Sequence, residues 1–69
     1  MKLSARNIIL GTVTTVSKGA TTAHVAIDIG NGVTVTASIT NAAVDELGLE
    51  AGKKAYAVVK ASDVMVAVD

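Results

Sequence analysis

The chain has no cysteine, no proline, no tryptophan and no phenylalanine; Tyr56 is its one aromatic residue and His24 its one histidine. Without cysteine there is no disulfide staple, no thiolate metal site and no thiol nucleophile. A single histidine does not build a structural zinc site either. Net charge is absent too, with six cationic side chains against six acidic ones. That balance excludes the strongly basic surface of a general nucleic-acid binder, and one tyrosine makes no platform for stacking bases. No apolar run approaches the roughly 18 residues of a membrane span, and the first residues lack the apolar stretch of a secretory signal. These absences point to the cytoplasm and to partners other than membrane or nucleic acid.

What is present is one domain, residues 1–69, of which 51% are apolar, too many for a disordered chain. So short a domain buries only about 60% of the surface that its unfolded chain exposes and usually needs a staple. With disulfides and zinc excluded, self-association is what remains, and a homo-oligomer is expected.

Val, Ile and Thr supply 24 residues, and β-branched side chains suit a pleated surface. The pattern predicts a first strand over Asn7–Ser17, with Gly11 a bend or bulge, and a second over Thr21–Ile29 carrying Ala23, Val25, Ile27 and Ile29 on one face. Gly30-Asn31-Gly32 then makes a tight hairpin into a third strand, Val33–Ile39. Beyond it the period becomes helical: Thr40 or Asn41 caps a short helix with Ala43, Val44 and Leu47 as its apolar stripe, and Gly48 closes it. A fourth strand, Ala55–Lys60, and a fifth, Val64–Val68, are apolar on both faces, which predicts burial of Val58, Val64 and Val66 in the core or at a subunit contact. Three strands, a helix and two strands is the order of an all-β, five-stranded OB-type barrel, with the helix between strands 3 and 4.

Catalytic chemistry finds little support. His24 lies mid-strand, opposite the Val25 and Ile27 face, where a solvent or interface role is the plainer reading. Asp45 and Glu46 read as acids favoured by the helix dipole. No serine has a recognisable histidine and acid beside it. No enzyme and no catalytic cofactor are expected.

Two segments suit an anion better. Ser4-Ala5-Arg6-Asn7 carries the only arginine, and Lys60-Ala61-Ser62-Asp63 takes a cation into a serine-containing turn. A tetrahedral oxyanion needs several donors converging on four oxygens, and here Arg offers a fork, Lys a point charge and Ser a hydroxyl. Backbone N–H groups at turns add donors without charge. On composition alone, however, Arg6 and Lys60 read more simply as solvated charges.

In order along the chain, Met1-Lys2-Leu3-Ser4-Ala5-Arg6-Asn7, then Ala37-Ser38-Ile39-Thr40 with Leu47-Gly48-Leu49, then Ala57-Val58-Val59-Lys60-Ala61-Ser62-Asp63-Val64-Met65 resemble the three sequence blocks of the molbindins, small molybdate-binding proteins of the Mop or TOBE type. The resemblance runs nearly end to end. It implies reversible binding of intact molybdate or tungstate at subunit interfaces of a homo-hexamer, a trimer of dimers, for intracellular molybdenum storage and homeostasis. The alternative is a structural or regulatory interaction module with a secondary anion site. Carried over by motif, Ser4 and Ser62 would donate hydroxyls, Arg6 a charged fork and Lys60 the second cation, with backbone at Ala5 and Ala61 adding donors. Thr40 and the helix start at Ala43 would complete a cradle of donors. Related domains often have serine at the position of Ala43, so a contact there would come from the backbone. A second oxyanion site near the family's threefold axis would involve Lys18, Gly19 and Ala20.

Overall fold

Alternating apolar residues joined by glycine-containing turns give an antiparallel meander in the computed structural model, which describes residues 1–69. The strands β1 (Asn7–Lys18), β2 (Thr22–Gly30) and β3 (Val33–Thr40) are followed by the helix α1 (Asn41–Leu47), by β4 (Lys54–Val59) and by a 3₁₀ turn at Ala61–Asp63. The sheet order is β3-β2-β1-β4, with every neighbouring pair antiparallel. The length of β1 lets it serve two partners: Asn7–Thr12 pairs with β4, and Thr12–Lys18 pairs with β2. Between Val13 and Thr15 the register slips by a residue, a bulge that adds to the twist and curls the sheet.

The bulge therefore lies at Thr14 and not at Gly11, which has a different task. A Cβ at Gly11 would stand 2.6 Å from the carbonyl oxygen of Asp28 and 2.6 Å from Cγ2 of Ile27. Glycine is there because β1 crosses β2 too closely for any side chain. The hairpin between β2 and β3 follows expectation: Gly30, Asn31 and Gly32 have φ of 100°, 54° and 75°, and Asp28 Oδ1 accepts the Gly30 N–H at 2.8 Å.

Thr40 is the helix cap, its Oγ1 accepting the Ala43 N–H at 3.1 Å, and Gly48 ends the helix in the left-handed conformation, φ 62°. Asp45 and Glu46 fall in the second half of this seven-residue helix, whose first turn holds no acid. The dipole reading of these two acids is thus incorrect; Asp45 instead pairs with Lys18 Nζ at 2.6 Å.

The core is small: Val13, Ala23, Val25, Ile27, Val44 and Ala57 are its buried apolar residues. Around them Leu10, Leu47, Tyr56 and Val58 remain more than two-fifths exposed. The expected fifth strand is absent. After the 3₁₀ turn, Val64–Val68 pairs with no strand, and the sheet has four strands with β3 and β4 at its edges, so one chain does not close a five-stranded barrel. Val58, Val64 and Val66 are accordingly not buried within the chain, being 45%, 50% and 88% exposed.

Candidate functional site

The pairing of β1 with β4 brings the ends of the sequence together. Asn7 sits opposite Val59 and Ile8 opposite Val58, and Asn7 Nδ2 donates to the Val59 carbonyl at 3.1 Å. The residues just before β1 and just after β4 thus leave the sheet side by side, although the whole run Asn7–Val59 separates them in sequence. Between them lies an open cleft of about 620 Å³ lined by Ser4, Ala5 and Arg6 from one end and Val58, Lys60, Ala61, Ser62 and Asp63 from the other.

The 3₁₀ turn shapes the second wall. The Asp63 N–H donates to the Lys60 carbonyl at 2.9 Å and the Val64 N–H to that of Ala61 at 3.3 Å, which curls Lys60–Asp63 back towards the cleft. Neither Arg6 nor Lys60 is ion-paired; the chain's single salt bridge is Lys18–Asp45. Two cations in one concavity, neither held in an ion pair, leave their N–H donors available to an anion.

Size bears on how much of a site one chain supplies. A tetrahedral oxyanion occupies the volume of two or three waters, roughly 60–90 Å³ at 30 Å³ each. The open cleft exceeds that several-fold, so one chain forms walls and not an enclosure.

Of the eight residues expected at an oxyanion site, six line this cleft: Ser4, Ala5, Arg6, Lys60, Ala61 and Ser62. Thr40 and Ala43 do not; they stand at the start of α1, where the Ala43 N–H is engaged by Thr40 Oγ1. The Thr40 hydroxyl, an acceptor in that bond, keeps its own O–H to donate. Lys18, Gly19 and Ala20 line no cleft. Lys18 holds Asp45, the Gly19 N–H donates to the Thr22 carbonyl at 2.8 Å, and the Gly19 carbonyl accepts Asn41 Nδ2 at 3.0 Å.

Val58 and Asp63 line the cleft as well, beyond the residues expected at the site. The Asp63 carboxylate, which follows Ser62 directly, offers no donor when ionised. The cleft is therefore not made of donors alone. Elsewhere, His24 is exposed in a cross-strand row with Ser17 and Ser38, and no group of three or more His, Cys, Asp or Glu side chains is placed to hold a metal ion. No helix is long and apolar enough to cross a membrane.

The sequence profile of the TOBE domain matches residues 3–66. Over all 69 residues the chain is 49% identical to a probable molybdenum-pterin-binding protein of Haemophilus influenzae, and the match covers the whole of both chains. The chain belongs to the molbindin family. Solved structures agree on the fold. A molybdate-binding protein from Sporomusa ovata superposes with a TM-score of 0.92 at 37% identity, covering 99% of this chain and 100% of that one. ModG, described as a cytoplasmic molybdate-binding protein and solved with molybdate bound, gives a TM-score of 0.89 at 48% identity, covering 94% of this chain and 46% of ModG. The match to an OB-like Mop fold extends to the all-β sheet and the short helix.

Proposed function

We propose that this molbindin binds molybdate or tungstate reversibly, as an intact oxyanion, at sites shared between subunits of a homo-hexamer. The observation that carries the reading is the convergence of unpaired Arg6 and Lys60 on one open cleft. Arg6 supplies a planar fork, Lys60 a point charge, Ser4 and Ser62 hydroxyls, and the backbone at Ala5 and Ala61 further N–H donors. An open wall of this size calls for a second wall. Thr40 of a neighbouring subunit would provide it through its free O–H, with Ala43 contributing shape more than a donor, because its N–H is already engaged. The small core and the exposed Leu10, Tyr56, Val58 and Val64 support the multi-subunit assembly that such a site requires.

A second oxyanion site at Lys18, Gly19 and Ala20 belongs to the same proposal; there Lys18 would exchange Asp45 for the ligand. No bond is made or broken. The role that fits is storage of the anion and buffering of its free concentration in the cytoplasm. The exposed apolar tail from Val64 to Val68 also suits a module devoted to protein contact, with its anion site secondary. Calorimetric titration of the purified chain separates the two: saturable binding of molybdate and of tungstate, with sulfate clearly weaker, is expected for a dedicated oxyanion carrier. Heats no larger for molybdate than for sulfate would leave the contact module as the better reading.

A further inference from the structure

Asp63 is an odd resident of an anion cleft. It lines the same concavity as Arg6 and Lys60, yet it forms no ion pair with either, nor any side-chain hydrogen bond. Its position is held by the backbone: its N–H closes the 3₁₀ turn on the Lys60 carbonyl at 2.9 Å. The lining thus carries two positive charges and one negative charge on groups that one chain leaves unpaired.

We infer that Asp63 is a specificity-determining residue of this cleft, holding down its affinity for fully deprotonated oxyanions and favouring those that carry a proton. The inference rests on the oxyanion reading above. An ionised carboxylate only accepts hydrogen bonds. A molybdate, tungstate or sulfate dianion at neutral pH has no O–H to give it, so the two meet as like charges. Hydrogenphosphate carries the same double charge but brings one O–H, which a carboxylate accepts in a strong, charge-assisted bond. The Ser4 and Ser62 hydroxyls can accept that O–H only as neutral partners, whereas Asp63 accepts it as a charged one, in the stronger bond. For a carrier that must release its cargo, a fixed negative charge beside the ligand also keeps binding reversible.

The test compares the full-length wild-type chain with Asp63→Asn, which removes the charge, and Asp63→Glu, which keeps it. Each is titrated with molybdate and, separately, with inorganic phosphate at neutral pH, at low and at high salt. Asp63→Asn should bind molybdate about tenfold more tightly, a change equal to about 1.4 kcal/mol. Its affinity for phosphate should rise less or fall, so that the molybdate-to-phosphate ratio grows. Asp63→Glu should stay near wild type. The gain in Asp63→Asn should shrink at high salt, because it comes from removing a charge in an exposed cleft. A structural role for the turn would move both ligands alike and would show no such salt dependence. Wild type binding molybdate while Asp63→Asn binds it equally or more weakly would overturn this inference and leave the oxyanion reading standing. Wild type binding neither ligand would overturn both.

Discussion

Replacing Gly11 by alanine adds one methyl group where β1 crosses β2, and the structure shows what that methyl would meet. Its Cβ would lie 2.6 Å from the Asp28 carbonyl oxygen and 2.6 Å from Ile27 Cγ2, with Ile29 Cγ2 at 3.2 Å. Ile27 could turn aside only by leaving the core, where it is 5% exposed, and a backbone carbonyl cannot rotate away at all. The strands must separate locally. Overpacking of this kind costs about 1–3 kcal/mol, offset by about 0.4–1 kcal/mol because alanine restricts the unfolded chain. Two contacts at 2.6 Å, one of them to backbone, put the cost at about 2–3 kcal/mol. A net loss of about 1–2.6 kcal/mol lowers the melting temperature of so small a domain by roughly 4–21 °C. Thermal unfolding followed by circular dichroism at equal protomer concentration measures it, since assembly makes melting concentration-dependent. A variant melting within about 2 °C of the parent would refute the close-approach argument, for the methyl would then have found room.

Arg6→Ala and Lys60→Ala should each weaken molybdate binding about tenfold or more, since a charge-assisted hydrogen bond contributes roughly 1.5–3 kcal/mol, while sedimentation shows the assembly unchanged. Removing the Lys18–Asp45 pair by Asp45→Asn should change stability by no more than about 1 kcal/mol, because both side chains are largely solvated; denaturant titration checks this. Truncation after Asp63 should leave the four-stranded sheet folded, as the removed residues pair with none of its strands, but should yield a smaller assembly by sedimentation.

Much of the fold was legible because local chemistry decides it. The Gly30-Asn31-Gly32 turn, the buried row Ala23, Val25 and Ile27, and the helix bounded by Thr40 and Gly48 each follow from neighbours a few residues apart. The fifth strand was not legible, because alternating valines report that a segment needs covering and say nothing of which strand covers it. The close approach at Gly11 was not legible for a related reason: it depends on residues sixteen and seventeen positions away, Ile27 and Asp28, while the bulge of β1 falls in the featureless run Thr14-Thr15. The site divides in the same way. Residue types mark Arg6 and Lys60 as candidates, but only the Asn7–Val59 pairing places them at one cleft, and Asp63, whose carboxylate offers no donor, has no place in a pattern of donors.

The central claim is that an oxyanion lies between Arg6 and Lys60, and diffraction at the molybdenum absorption edge tests it most directly. In crystals grown with molybdate, the anomalous difference map should show a peak within hydrogen-bonding reach of the Arg6 guanidinium, Lys60 Nζ and the Ser4 and Ser62 hydroxyls of one subunit, closed on its open side by Thr40 of another. Molybdenum bound elsewhere, with this cleft empty in every subunit, would contradict the account.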